Sequence, residues 1–211
     1  MKKVKFIVFI CLFILLPLAY FNGFIRISDL TSEQESIAKK YGGVYVFDEK
    51  LEKEIDKREE ERDKYLDDFF KNNNRDFDLN DQAIMNEKLP RVLSNGKRYY
   101  LRWIDYENET GKEVKIPNDY VEKIINYIGK ENLEKYTPNL SMSYFYIDGD
   151  KVVPIRTSAS YLYRIKTFTL YGDEASGIKF IKDDIGLAKG GNRFEFINNK
   201  FEKVSNKDKD K

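Results

Sequence analysis

The strongest constraint on the fold lies in the first 25 residues, MKKVKFIVFICLFILLPLAYFNGFI. Lys2, Lys3 and Lys5 precede an uncharged run that begins at Phe6, and no charge returns until Arg26. As a helix, the sixteen residues to Phe21 span roughly 24 Å, and extension to Ile25 brings this to about 30 Å, the hydrocarbon thickness of a bilayer. Residues 6–25 are therefore expected to form a transmembrane helix. A basic start and an apolar core suit both a cleaved signal and a retained anchor. Cleavage needs small residues flanking the cut. Ala19 has Pro17 two residues before it and bulky Tyr20 and Phe21 after it, so an uncleaved anchor is expected. The three lysines place the N-terminus in the cytoplasm and the following domain outside it, in a bacterial envelope.

Composition removes whole classes of chemistry. The 211 residues contain no His and a single cysteine, Cys11. Ser-His-Asp and Cys-His sites, His-ligated metals and Cys clusters are excluded. Lys and Arg number 37 against 36 Asp and Glu, and a net charge of +1 gives no field that would collect nucleic acid. No cofactor motif is present.

Beyond the anchor (1–25), a helical, charged segment is expected over 26–76, then an α+β globular domain over 77–202 and a disordered tail over 203–211. Within the polar stretch 26–43, Ser32, Glu33 and Glu35 ahead of Ile37, Ala38 and Tyr41 read as a short helix closed by Gly42-Gly43, with a brief strand over 44–47. Residues 49–71 are rich in helix formers, but every residue from Asp56 to Lys64 is charged. The pairs Glu49–Lys53, Glu54–Arg58 and Glu60–Lys64 can support a solvated helix packed only by its ends, or a spacer. A loop is expected from Asn72 to Pro90.

Alternation of large residues predicts strands over 97–106, 114–116, 140–147, 152–157, 161–171, 178–181 and 193–197. Val121, Ile124, Ile125 and Ile128 make one apolar stripe and predict a helix closed by Gly129, with another turn or two over 130–136. The expected fold is an antiparallel, aromatic-rich sheet of five or more strands with a crossing helix.

No set of residues qualifies as catalytic. Asp76, Asp78, Asn80 and Glu87 fall at the first, third, fifth and twelfth positions of a calcium loop, which leaves metal binding open. Asp81 in place of the turn glycine, Ala83 and Pro90 argue against it. Asp148 and Asp150 suit a hairpin turn better than acid–base work. Ser94-Asn95-Gly96-Lys97 has a Ser-x-x-Lys spacing but reads as a turn. Lys189-Gly190-Gly191-Asn192-Arg193 has anion-holding chemistry but reads as a connector. Tyr99, Trp103, Tyr144, Tyr146, Tyr161 and Tyr163 could form an exposed aromatic platform or a core. The expected function is that of a membrane-anchored, exported binding protein with a protein partner. An exported carboxylate enzyme acting on cell-wall glycan, or a secreted domain after cleavage, are the alternatives.

Overall fold

The hairpin signal at Asp148-Gly149-Asp150-Lys151 sits where the sheet begins. Gly149 takes φ 62°, a region open to glycine, and the turn joins β4 (Asn139–Asp148) to β5 (Lys151–Tyr171). The computed structural model describes residues 2–175 and 177–204. The two strands expected over 152–157 and 161–171 are one strand of 21 residues. Ser158, Ala159 and Ser160 read as a break but continue the pairing with β4, through Ser158↔Ser141 and Ser160↔Asn139.

The fold mixes helices with one large, mostly antiparallel sheet, ordered β3 (Tyr99–Arg102), β4, β5, β2 (Gly43–Val46), β7 (Asn192–Ile197) and β8 (Lys200–Val204). Among the described strand pairs only β2 and β7 run parallel. The upper half of β5 carries two further antiparallel partners, β1 (Asn22–Ser28) and β6 (Lys179–Ala188). Residues of the 26–76 and 77–202 segments thus share one sheet, with β2 between β5 and β7. Asn198 and Asn199, both at positive φ, turn β7 into β8, which reaches Val204 into the expected tail. The tail from 205 lies outside the described residues.

One face of the sheet is apolar. Tyr45 stacks on Phe194 at 4.6 Å, and Phe201 meets Tyr45 edge-on. The helix α6 (Asn118–Ile128) lays its expected stripe against them, with Ile124 and Ile128 fully buried. Each isoleucine contributes about 1.5–3 kcal/mol by leaving water. The short helix α7 (Lys130–Lys135) follows, and α2 (Ser32–Tyr41) places Ile37 and Ala38 against Tyr161.

The opposite side is built differently. The expected surface helix forms as α3 (Glu49–Asn72), with Asp48 capping it through the Leu51 N–H and all three expected i,i+4 pairs in place. Its charged middle is nonetheless not a solvated spacer, because Glu52, Ile55 and Arg62 are buried and Glu59 is mostly so. Ile55 packs with Leu93, Tyr99 and Ile155. The Arg62 guanidinium donates to the Leu89 carbonyl at 2.5 Å and to Asn86 at 2.8 Å. Glu59 accepts from Arg91 at 2.9 and 2.7 Å and from the Tyr99 hydroxyl at 2.7 Å. Residues 52, 55, 59 and 62 follow helical spacing, so the inward stripe exists but is written mainly in charges.

Three further expectations are corrected. The strand over 97–106 ends at Arg102 and becomes α5 (Trp103–Thr110), closed by Gly111 at φ 68°. Helix places Tyr106 against Tyr100 and Phe145, and that packing overrides the β preference of the aromatics. Residues 114–116 form no strand, and the Val114 N–H donates to Glu107 instead. Inside the expected loop lies α4 (Leu79–Lys88), started by a reciprocal capping box between Asp78 and Asp81.

The N-terminal helix α1 runs from Lys2 to Phe21 and stops four residues short of Ile25, because Asn22 enters β1 and the chain pairs with β5. Its uncharged part spans roughly 24 Å against about 30 Å of hydrocarbon. Among the described residues no helix is long and apolar enough to cross a membrane. The fold therefore does not support the expected transmembrane helix over 6–25.

Candidate functional site

A cavity of about 640 Å³ opens on the α3 side of the sheet, beyond the end of α3's cover. It exists because the sheet's side chains become small there. Ser141 pairs with Ser158, Ser158 with Val44, and Val44 with Arg193, so these four residues form a row across β4, β5, β2 and β7. Gly43, next to Val44 on β2 and paired with Ala159 and Asn192, sits at φ 149°, and a Cβ there would stand 2.1 Å from the Asn192 carbonyl oxygen. Only glycine permits that approach.

The floor is an ionic cluster. Glu52, 2% exposed, receives Nη1 and Nη2 of Arg193 at 3.0 and 2.5 Å, one on each carboxylate oxygen. The remaining Arg193 nitrogen, Nε, donates to Glu195 at 2.8 Å. The hydrogen bonds to Glu52 hold the Arg193 guanidinium even more firmly protonated than usual, against the opposing effect of burial. Arg156 lies 3.6 Å above the Tyr144 ring, donates from Nε to Ser143 at 3.2 Å, and reaches Glu52 from Nη1 at 3.5 Å. Burial pushes the Tyr144 phenol up to about 12, and its hydroxyl donates to Asp56 of α3 at 2.9 Å.

Arg193 is aimed by its neighbour. The Asn192 amide donates to the carbonyls of Lys39 at 2.7 Å and Gly42 at 2.8 Å, which fastens β7 to the C-terminal end of α2. The segment Lys189–Arg193, expected to be a connector, therefore walls the cavity with Lys189, Gly191, Asn192 and Arg193. Its Gly-Gly pair was the available signal. The partners Glu52, Ser141, Arg156 and Ser158 are scattered over more than a hundred positions, and no spacing announces them.

The arrangement suits binding rather than acid–base chemistry. Both Glu52 oxygens are engaged by one guanidinium, which leaves no oxygen of this carboxylate unpartnered at the cavity floor. Of the five N–H donors of Arg156, Nε goes to Ser143, Nη1 lies 3.5 Å from Glu52 and one further contact is made with the Tyr144 side chain, so donors remain, and the tyrosine face fixes their plane. The Ser141 and Ser158 hydroxyls make no hydrogen bond among the described residues.

The other candidate residues go elsewhere. Asp78 and Asp81 cap α4, and Asp81 also takes Arg75 in a two-pronged pair at 2.6 and 2.7 Å. That hydrogen bonding holds the Asp81 carboxyl down to about 2. Asp76 is exposed and Glu87 lies along α4, so the calcium-like spacing is spent on a helix start. Among the described residues no group of three or more carboxylates or thiols could hold a metal ion. Asp148 pairs with Lys97 at 2.8 Å across two turns, which brings the Ser94–Lys97 and Asp148–Asp150 segments together as a surface contact. Of the expected aromatic platform, Tyr99 and Tyr161 are fully buried, Tyr144 and Tyr146 pack on the α3 cluster, Tyr163 is half-buried with its ring over Gly186, and Trp103 remains partly exposed. They do not form one surface.

A second feature adjoins the cavity. On β5 the residues facing the cavity continue, alternately, along the three-stranded part of the sheet. In register there stand Leu162 with Leu187, Arg164 with Ile185, Lys166 with Ile27 and Asp183, and Phe168 with Ile25 and Ile181. Ile185 is 71% exposed and Ile27 57%. This strip combines apolar residues with two cations and the carboxylate of Asp183. It runs from the cavity, where Leu187 forms part of the wall, to the strand that leaves α1. No protein-family model matches the chain, and no curated protein or solved structure is significantly similar to it.

Proposed function

We propose that the protein is a membrane-anchored binding protein whose domain engages a protein partner on the exported side. The observation that carries this reading is the exposure of α1. Phe6, Phe9, Leu12, Ile14, Leu15 and Leu18 are all more than half exposed, and they lie around the helix rather than on one stripe. An apolar helix whose described residues are exposed on all sides is unstable in water and at home in lipid. The shortfall of about 6 Å is within what bilayer thinning and snorkelling of Lys5 accommodate. The basic start orients the N-terminus toward the cytoplasm.

The partner surface in this reading is the membrane-proximal end of the strip, Ile25, Ile27 and Ile181. It follows α1 without a linker, and among the described residues β1 pairs only with β5, leaving an edge for a partner strand. A photo-crosslinking residue at position 27, with position 112 as the control on a distant exposed turn, tests it in native membranes. A discrete protein adduct from position 27 alone is expected. Recovery of the protein in the soluble fraction would overturn the anchor, and the absence of any adduct from membranes would overturn the partner.

A further inference from the structure

We propose that the cavity is the head-group site for an anionic amphiphile, with Arg156 taking the oxyanion and Leu187, Leu162 and Ile185 carrying the hydrocarbon chain. Three observations converge on one face of the sheet. The first is charge: Arg156, Arg193 and Lys189 against Glu52 leave the lining cationic, and Glu52 is already matched by Arg193. Arg156 thus keeps guanidinium donors for a carboxylate or phosphate, in a plane set by Tyr144.

The second is the hydrogen-bonding lining. Ser158 stands two residues along the same strand face from Arg156 and is paired with Ser141, so two hydroxyls flank the position an oxyanion bound by Arg156 would take. The third is apolar continuity. Leu187 belongs to the cavity wall, its cross-strand partner is Leu162, and Ile185 follows on the same face of β6. All three are exposed, and the cover that would hide them ends with α3. A small polar anion would leave that apolar surface unused, and an uncharged hydrocarbon would strand the cations. An amphiphile satisfies both, and Arg164 beside Ile185 adds a cation along the chain's path.

The inference does not depend on α1 entering a bilayer. The test uses the full chain in phosphatidylcholine nanodiscs and a lauric acid carrying a diazirine on its chain. Irradiation is expected to label the peptides that contain Leu162, Ile185 and Leu187. The same chain on a maltoside head is expected to label them about tenfold less, the value of a hydrogen bond to a charged group. Arg156→Gln should lower labelling by about the same factor, and Lys189→Gln, on the exposed rim, by about threefold without loss of folding. Equal labelling by the maltoside, labelling confined to α1, or full labelling of a folded Lys189→Gln and Arg156→Gln pair would overturn the proposal. So would displacement of laurate by acetate at equal concentration, which would mean that the head alone is recognised.

Discussion

Helices α3 and α6 cover opposite sides of the same sheet and do so with opposite chemistry. The stripe of α6 is Ile124 and Ile128 against Tyr45 and Phe194, and its attraction is non-directional area burial. The stripe of α3 is Glu52, Ile55, Glu59 and Arg62, and three of its four members hold their places through directed ionic hydrogen bonds. Burial would raise the Glu59 carboxyl, yet hydrogen bonds from Arg91 and Tyr99 more than reverse this and hold it below its ordinary value. On the apolar side Ile124, Ile128, Tyr45 and Phe194 are fully buried. The ionic side stays open where the sheet's side chains shrink, and the cavity is that opening.

The largest expected effect is on the apolar side. Phe194→Ala removes a fully buried ring and should lower stability by about 3–5 kcal/mol in urea denaturation. On the ionic side, a double-mutant cycle of Glu52→Gln with Arg193→Met should give a coupling of about 1–3 kcal/mol. Additive losses would show that the pair is not a structural contact. Tyr99→Phe deletes a hydrogen bond to a charged acceptor and should lower stability by about 1.5–3 kcal/mol.

The contrast explains what was legible in the sequence. The α6 stripe, the Gly42-Gly43 stop, the hairpin at 148–151 and the antiparallel aromatic sheet follow from periodicity and turn chemistry, which are local. The α3 stripe has the right spacing but the wrong polarity, so a hydrophobic pattern passes over it. Its partners Arg91, Tyr99, Arg156 and Arg193 are brought in by the sheet and lie far away in sequence. Helices α4 and α5 were hidden for a different reason. The first begins with acidic residues whose spacing resembles a metal loop, and the second with aromatics that favour strands. The cavity was the least legible feature, because its defining property is the smallness of Ser141 and Ser158 in register, with Gly43 beside them.

Smaller effects sharpen the same contrast. Asp81 titrates near 2 when folded, below its ordinary value near 3.8, so its contribution is full above about pH 4 and disappears as pH falls toward 2. The stability difference between the wild type and Asp81→Asn should shrink over that interval, as read from denaturation midpoints at pH 5, 3 and 2. The smallest change is expected from Tyr161→Phe. The buried Tyr161 hydroxyl has no hydrogen-bond partner among the described residues, so its removal should leave stability unchanged or raise it by about 1 kcal/mol.

The central claim is that the charged middle of α3 is part of the folded core and not a spacer. Amide hydrogen exchange over residues 55–62 of the full chain reports on this directly, since protection follows the free energy of local opening. Exchange slowed to within about tenfold of the β5 amides paired with β2 is the expected result. Exchange of these amides at the rate of an isolated, fraying helix, while the sheet stays protected, would contradict it.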